Sequence, residues 1–357
     1  MTERSGTPER VLIFRTGSLG DTAFNLPVFH HLNRLWPHAE KRVLTNFPVA
    51  AEAPPLQAVL GDGTFAQGYF EYPGGTRRIG NVLSLARAVR RWHPDIAVYM
   101  NECRGIAATL RDGLFLMLCG ARRVYGLPLT AQARRHRVDA VTGLHEREVS
   151  RIARALRALG EIDTGSAASR DPALDSGELA AARTLMADWP GRDRFVCFSP
   201  GTKQAAKDWT DPNWTAALTA LGAAAGGAGL LIVGAREDRA RAERLGACWP
   251  GPVLNVCGRT SPRVSAALMR DALLFLGNDS GPMHLAASVG IPAVAVFSRL
   301  APPGVWFPLG TAHRIFYPGL AWSGGDPPVY REPAAEPDLT AIPVETVVRA
   351  ATGFLDP

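Results

Sequence analysis

Short apolar runs alternate with amphipathic stretches along most of the chain. Residues 11–14 form a β-rich apolar run, and residues 23–35 after it carry apolar side chains at helical spacing. The same alternation predicts strands at 42–45 and 96–100, and helices at 82–92, 106–118 and 147–159. A strand, a glycine turn and a helix in this order open a doubly wound α/β domain.

The pattern starts again in the second half of the chain. Strands are predicted at 195–198, 230–233, 272–276 and 293–297, and helices at 212–222, 237–245, 282–289 and 344–354. Residues 160–190 show little periodicity, and residues 301–337 are rich in Pro, Gly and Trp. We therefore predict an α/β domain over 1–165, a linker over 166–190, a second α/β domain over 191–340 and a last helix within 341–357.

Composition and charge narrow the class of protein. A length of 357 residues predicts two domains, and 46% hydrophobic with 20% charged residues is typical of globular chains. No apolar run reaches the roughly 18 residues of a membrane span, and residues 1–10 lack the apolar segment of a signal peptide, so a cytoplasmic location is expected. The five cysteines are scattered without a C-x-x-C pair, which argues against a disulfide framework or a zinc site. The net charge of +6 suits an anionic partner, although no nucleic-acid-binding signature is present.

The first candidate site is the segment Gly17-x-x-Gly20-Asp21, which follows the first strand. Glycine at 17 and 20 lets the backbone turn sharply and approach a ligand, and the helix that starts there offers free N–H groups to an anion. The segment is neither G-x-G-x-x-G nor a P-loop, which disfavours NAD and ATP. Asp21 is either a first-turn carboxylate of the helix or a general base.

The second candidate follows the strand at 195–198. Ser199-Pro200-Gly201-Thr202 is followed by Lys207, and small residues with a lysine can bind phosphate through hydroxyl, backbone and point charge. A solvated polar loop explains the same lysine.

The third candidate is the segment 277–284, which precedes a predicted helix. Asp279 or Ser280 would cap that helix, Gly281 permits close approach, and the helix start can hold a pyrophosphate. His284 is a donor-side residue or an ordinary core histidine. The chain lacks H-E-x-x-H, an EF-hand, Asp-x-Asp and G-x-S-x-G, so metal-dependent and hydrolase chemistries are disfavoured.

Taken in order, these segments resemble one family. The runs 14–21, 200–202 with 207–209, and 278–287 are similar to the ADP-heptose:lipopolysaccharide heptosyltransferases, glycosyltransferase family 9, and the resemblance extends from about residue 10 to about residue 310. It implies a GT-B fold, with two Rossmann-like doubly wound domains that face a central cleft. It also implies an acceptor on the first domain, a nucleotide-sugar on the second, and a last helix that packs back on the first domain.

The resemblance implies a role for each matched residue. Asp21 takes the position of the catalytic base, and no metal or cofactor is expected. The residues implied or inferred to contact ligand are Gly17, Gly20, Thr202, Lys207, Glu237, Asp279, Ser280, Gly281 and His284. Thr202 and Lys207 would bind the diphosphate and Glu237 the ribose. Where the family has Gly-Pro-Thr-Asp-Pro, this chain has Ser298-Arg299-Leu300-Ala301-Pro302, which leaves the donor sugar and the acceptor open.

The implied activity is an inverting, metal-independent transfer of a heptose or related sugar from a nucleotide-sugar, ADP-heptose, to a glycan such as lipopolysaccharide core. Arginines concentrate in the first half and would attract an anionic acceptor or the inner face of the membrane, although a solvated basic face explains them equally: Arg104, Arg111, Arg122, Arg123, Arg134, Arg135 and Arg137. Two alternatives stay open, a nucleotide-sugar-binding protein without transfer activity and a GT-B sugar-nucleotide epimerase. Asp21 argues against the first, because a pure binder needs no base.

Overall fold

The computed structural model describes residues 7–46, 55–72, 79–322, 328–333 and 338–355. Parts of the polar N-terminus and of the predicted loop 301–337 lie outside these ranges. The chain divides into two compact units, the first comprising Met1–Arg137 with Arg147–Ser169 and the second Val138–Glu146 with Arg170–Pro357.

The first unit has a parallel sheet of five strands in the order β3-β2-β1-β4-β5. The strands are β1 Arg10–Phe14, β2 Glu40–Asn46, β3 Gly68–Tyr72, β4 Ile96–Tyr99 and β5 Arg123–Tyr125. The helices are α1 Leu19–Ala23, α2 Leu26–Leu35, α3 Gln57–Leu60, α4 Ile79–Trp92, α5 Ile106–Leu118, α6 Ala131–Arg134 and α7 Glu148–Ala155, and α8 Ala167–Arg170 leads into the second unit. The strand order reverses between β1 and β4, and ligands bind at the carboxyl ends of such a pair.

The second unit repeats this design with a parallel sheet of six strands in the order β11-β10-β9-β6-β7-β8. Its strands are β6 Phe195–Ser199, β7 Gly229–Ile232, β8 Val253–Asn255, β9 Phe275–Asn278, β10 Ala293–Val296 and β11 Arg314–Phe316, with a small antiparallel pair, β12 Leu320–Ala321 and β13 Val329–Tyr330. Its helices are α9 Ser176–Met186, α10 Asp211–Ala224, α11 Arg239–Gly246, α12 Pro262–Met269, α13 Gly281–Ser288 and α14 Val344–Thr352. Here the order reverses between β6 and β9.

Each unit has its own apolar core, which explains why the strands read as continuous apolar runs. In the first unit the helices α4 and α5 pack on one face of the sheet through residues such as Val89, Trp92 and Leu116. In the second unit Trp209 and Trp214 are fully buried among strand residues of β6, β7 and β9. The prediction of two doubly wound α/β domains is therefore confirmed.

The division of the chain differs from the predicted one at residues 166–190. Most of this stretch belongs to the second unit and contains helix α9, which packs against α12. Asp175 accepts from the backbone N–H of Glu178 while Glu178 accepts from that of Asp175, a capping box that marks a helix start in the sequence. The weak apolar periodicity of this alanine-rich helix hid it.

The last helix, α14, packs on α10 of the second unit. Its packing on the first domain, which the resemblance implies, stays a prediction. Val347 and Ala351 are fully buried in the second core, and the indole N–H of Trp209 donates to the carbonyl of Ile342 just before the helix. The apolar face of α14 is thus used within the second unit.

Candidate active site

In the first unit, the glycine segment follows β1 at the point where the strand order reverses. Gly17 has φ +143°, and a Cβ placed there would lie 2.8 Å from Oδ2 of Asp21. That carboxylate oxygen accepts a hydrogen bond of 2.5 Å from the backbone N–H of Ser18. Glycine at 17 is therefore required because the Asp21 side chain lies directly against it.

Arg15 is a buried residue that the sequence reasoning missed. Its guanidinium donates to the carbonyl of Met100 at 2.6 Å and to that of Asp21 at 3.0 Å. Nη2 lies 4.0 Å from Oδ1 of Asp21. Arg15 thus fixes the loop after β1 against the end of β4 and brings a positive charge close to the Asp21 carboxylate. The signal available in the sequence was its position at the end of a buried strand.

Two further polar residues follow β4 at the same edge. Oδ1 of Asn101 accepts from the backbone N–H of Thr16 at 2.6 Å. Partial desolvation of the carboxyl group raises the pKa of Glu102, and the negative charge of Asp21 raises it further. The electrostatic coupling with Asp21 adds a second carboxylate to this edge of the first sheet, one that motif reasoning did not identify.

In the second unit, the structure brings together two of the predicted ligand-binding residues. Nζ of Lys207 donates to Oδ2 of Asp279 at 2.6 Å, although 72 positions separate them in sequence. The Asp279 side chain is only 8% exposed, whereas Lys207 is 23% exposed. These residues follow β6 and β9, the strands between which the order reverses. Lys207 is therefore a paired cation of this edge and not a solvated one.

The loop that carries Lys207 is held at both ends by Asn278. The Asn278 amide, which is fully buried, donates to the carbonyl of Pro200 at 3.1 Å and accepts from the backbone N–H of Trp209 at 3.3 Å. Arg241 adds further bonds to Pro200 and to the Asp208 carboxylate. Asn278 was part of the recognised motif, but its function as a clamp is visible only in three dimensions.

Helix α13 begins at Gly281, next to Asp279. The hydroxyl of Ser280 is buried and has no hydrogen-bond partner among the residues that the structure describes. His284 is 6% exposed and lies one turn into the helix. The start of α13 thus combines free backbone N–H groups and a hydroxyl close to the Lys207–Asp279 pair, a set of groups that can bind an anion.

Thr202 and Glu237 lie at the same end of the second sheet without joining that pair. The Thr202 hydroxyl is used locally, since it lies within 3.4 Å of the backbone N–H of Gln204. Glu237 is exposed in the turn Arg236–Asp238. Its neighbour Asp238 points inward instead, accepts from the backbone N–H of Ala235 at 2.8 Å, and has a pKa raised by burial. Sequence reasoning passed over Asp238.

Asp238 explains the glycine that precedes Thr202. A Cβ at Gly201 would collide with the Asp238 carboxylate, so only glycine fits there.

The loop that departs from the family pattern also lies at a strand end, after β10. Ser298 is buried, and its hydroxyl has no hydrogen-bond partner within the described part of the chain. The next residue, Arg299, forms an ion pair with Glu332.

Within the described residues, no group of three or more His, Cys, Asp or Glu side chains is arranged to hold a metal ion. In the same residues, no helix has both the length and the apolar character needed to cross a bilayer.

Comparisons with known proteins give one family. The family model of glycosyltransferase family 9 (heptosyltransferase) matches residues 83–318. Lipopolysaccharide heptosyltransferase 3 of Escherichia coli K12 is 25% identical over 349 residues, which cover 94% of this chain and 95% of that protein.

Solved structures show the same fold. A glycosyltransferase family 9 protein from Veillonella parvula superposes with a TM-score of 0.73 at 18% identity, over 97% of both chains. The ADP-heptose lipopolysaccharide heptosyltransferase II of E. coli gives a TM-score of 0.65 at 16% identity, over 97% of this chain and 98% of that one. These likenesses confirm the GT-B fold with its two Rossmann-like domains.

Proposed function

Because the chain belongs to glycosyltransferase family 9, the heptosyltransferases, and is therefore a glycosyltransferase, we propose that it transfers a heptose from ADP-heptose to a lipopolysaccharide-core acceptor. The relative from E. coli K12 is named for lipopolysaccharide and the solved E. coli enzyme for ADP-heptose, which supports this choice of acceptor and donor. The transfer would invert the anomeric carbon and need no metal.

The observation that carries the proposal is the cluster at the carboxyl ends of β6 and β9. Lys207, the start of α13 and the buried hydroxyl of Ser280 offer a cation, backbone N–H groups and an O–H to one anionic ligand. Charge-assisted hydrogen bonds of this kind suit a diphosphate. Asp279 would orient Lys207 so that its remaining N–H groups are directed to the ligand.

In the proposed reaction, Asp21 acts as the general base. The acceptor hydroxyl attacks the anomeric carbon as its proton passes to the Asp21 carboxylate, and the bond from that carbon to the diphosphate oxygen breaks on the opposite face. The backbone N–H of Ser18 holds the carboxylate in one orientation, and Arg15 fixes the backbone of the same residue by donating to the Asp21 carbonyl. This geometry supports a base that is fixed before the acceptor binds.

The departing nucleoside diphosphate carries the charge that develops during the reaction. Lys207 and the N–H groups at the start of α13 would stabilise that charge, which is the role a divalent metal has in other transferases. Thr202, Glu237, Gly281 and His284 are proposed as further contacts to the donor, and Gly17 and Gly20 as the close backbone approach near Asp21.

A thermal-shift panel tests the donor. Wild-type protein is heated with ADP-heptose, ADP-glucose, GDP-mannose and UDP-glucose, because a ligand at about 100 times its Kd adds roughly 2.7 kcal/mol to the free energy of unfolding. We expect ADP-heptose to give the largest rise in melting temperature and Lys207→Ala to reduce that rise. A panel in which a UDP- or GDP-sugar stabilises the protein and ADP-heptose does not would contradict the proposed donor.

A second measurement tests the transfer itself. Mass spectrometry of a lipopolysaccharide-core acceptor incubated with enzyme and ADP-heptose should show the mass of one added heptose. Release of ADP without any glycosylated acceptor would indicate hydrolysis only and would refute the acceptor.

A further inference from the structure

A buried ion pair lies in the first unit, apart from the residues that the proposed reaction uses. Glu148 and Arg151 belong to the first turn of helix α7 and are 2% and 1% exposed. The guanidinium donates to both carboxylate oxygens, from Nε at 2.7 Å and from Nη2 at 2.5 Å. His136 Nε2 lies 2.7 Å from the same carboxylate. Because both charges lose their hydration, such a pair is a poor source of stability, which points to a role other than packing.

Both members of this pair are charged. Burial by itself raises the pKa of Glu148, but the hydrogen bonds from Arg151 and His136 lower it below its ordinary value. A guanidinium stays protonated in proteins. The carboxylate therefore holds the Arg151 guanidinium in one orientation and determines where its other N–H groups point.

Those other N–H groups hold two segments outside helix α7. Nη1 of Arg151 donates to the carbonyl of Ala133 in α6 at 3.1 Å. Nη2 donates to the carbonyl of Asn101, 50 positions away in sequence, also at 3.1 Å. Asn101 follows β4, which lies beside β1 where the strand order of the first sheet reverses. Arg151 thus fixes the backbone at the ligand-binding edge of this sheet.

Asn101 in turn holds the loop that carries Asp21. Its Oδ1 accepts from the backbone N–H of Thr16 at 2.6 Å and from the Thr16 hydroxyl at 3.1 Å. The next two N–H groups, of Gly17 and Ser18, also donate to side chains, and that of Ser18 donates to Asp21 itself. The backbone before Asp21 is therefore held by a series of side chains, of which Asn101 is one.

Two buried arginines hold consecutive carbonyls after β4. Arg15 donates to the carbonyl of Met100 and Arg151 to that of Asn101. Arg15 connects this point directly to the Asp21 backbone, whereas Arg151 acts on the same loop through Asn101. The two contacts together leave the end of β4 little freedom to shift against the loop.

We propose that the Glu148–Arg151 pair positions the general base of the transfer, because Arg151 fixes Asn101 and Asn101 fixes the loop that holds Asp21. This inference rests on the proposed function of Asp21. A base accelerates a reaction only when it is held within reach of the proton, and a displacement of about 1 Å costs up to about 100-fold in rate. The alternative is a pair that only joins α6 to α7, which would affect stability but not the Asp21 loop.

Hydrogen exchange read by mass spectrometry tests this connection without substrate. Arg151→Lys keeps a positive charge beside Glu148, but an ammonium group presents its donors from one atom and cannot reproduce the planar fork that reaches the carboxylate and both carbonyls. We expect exchange at the backbone N–H groups of residues 15–21 to become about three- to tenfold faster. A peptide of the second unit, residues 200–209, should exchange as in the wild type.

Turnover supplies the second measurement. In Arg151→Lys, kcat should fall about tenfold or more, while donor affinity by calorimetry stays at the wild-type value because the proposed donor contacts lie in the second unit. Asn101→Ala should give the same two results. The double variant Asn101→Ala/Arg151→Lys should be no slower than Asn101→Ala, since both substitutions act through one connection. Glu148→Gln/Arg151→Gln leaves no buried charge unpaired and replaces Arg151→Lys if the latter does not fold.

Arg263→Lys is the matched control. Arg263 is 4% exposed, pairs with Glu178, and donates to the carbonyls of Pro172 and Ala173, both at 2.7 Å, but has no proposed role in transfer. The control makes the same chemical change at a buried arginine with the same kinds of partner. It should lower the melting temperature about as much as Arg151→Lys does and leave kcat and the exchange of residues 15–21 unchanged.

Three results would overturn the inference. The first is wild-type exchange of residues 15–21 in the folded variants of the pair. The second is faster exchange there with wild-type turnover. The third is an equal fall of kcat in Arg263→Lys, which would assign the effect to lost stability. Exchange is read without donor or acceptor, so failure of this connection is distinguishable from failure of the proposed transfer.

Discussion

Replacing Asp21 by asparagine separates the proposed base from a merely structural carboxylate. Oδ2 of Asp21 accepts from the backbone N–H of Ser18, and an asparagine amide oxygen can accept the same bond. The charge near Arg15 is lost, but Nη2 and Oδ1 are 4.0 Å apart, and Arg15 keeps its bonds to the carbonyls of Met100 and residue 21. The expected cost in the free energy of unfolding is therefore about 1 kcal/mol or less.

The expected effect on catalysis is much larger. An amide cannot take the acceptor proton, and general-base catalysis contributes about 10²- to 10⁴-fold to a rate. At roughly 1.36 kcal/mol for each factor of ten, this loss corresponds to about 2.7 to 5.4 kcal/mol of transition-state stabilisation. The predicted effect on turnover thus exceeds the predicted effect on folding severalfold.

The assay is the initial rate of glycosylated product measured by mass spectrometry, with donor affinity from calorimetry and the melting temperature measured on the same preparations. Asp163→Asn is the matched control, because Oδ1 of Asp163 accepts from the backbone N–H groups of Gly165 and Ser166 and has no proposed role in transfer. It makes the same chemical change at a carboxylate that also caps backbone N–H groups. We expect Asp163→Asn to keep the wild-type rate.

The catalytic assignment fails if Asp21→Asn transfers heptose at nearly the wild-type rate. It also fails if Asp21→Asn and Asp163→Asn slow transfer equally, because a general effect of losing a turn-capping carboxylate would then explain both.

Three further predictions address the donor, the metal and pH. Lys207→Ala should weaken binding of the nucleotide-sugar about 10- to 150-fold by calorimetry, because it removes a charge-assisted contact and leaves the Asp279 carboxylate facing the diphosphate. The control Lys203→Ala, on the same loop, should keep the wild-type affinity. Unchanged affinity in Lys207→Ala would exclude the contact. Transfer should persist in EDTA, and a loss of product that magnesium restores would refute the metal-free reaction. The pKa of Glu102 is raised in the folded state, so ionisation of this side chain destabilises the fold as pH rises from 4.5 through the folded pKa. Glu102→Gln, which stays neutral, should therefore raise the melting temperature at about pH 8 and leave it unchanged at about pH 4. Equal effects at both pH values would contradict this prediction.

Apolar periodicity in the sequence determined most of the secondary structure. Helix α5 was predicted at the same residues at which it is observed, 106–118, and the strand at 11–14 is β1 within one residue. Because parallel strands with helical crossovers place their carboxyl ends at one edge, the motifs after β1, β6 and β9 could be assigned to the ligand-binding edges of two sheets. The family followed from the order of those motifs.

The same pattern does not specify which surface a buried face packs against. The amphipathic face of α14 was visible in the sequence, but only the structure decided that it covers the second core. Helix α9 was missed because its many alanines make both faces similar, and its capping box was the stronger local signal.

Side-chain contacts across a sheet depend on strand order, which no local pattern encodes. Lys207 and Asp279 are adjacent because β6 and β9 are neighbours, although β7 and β8 lie between them in the chain. In the turn Arg236–Asp238, likewise, the structure directs the Asp238 carboxylate into the protein and leaves Glu237 exposed to solvent. Sequence therefore determined which residue types reach the ligand-binding edge, and only the tertiary structure decided which of them meet, because those contacts are made between distant segments brought together by the packing of the sheet.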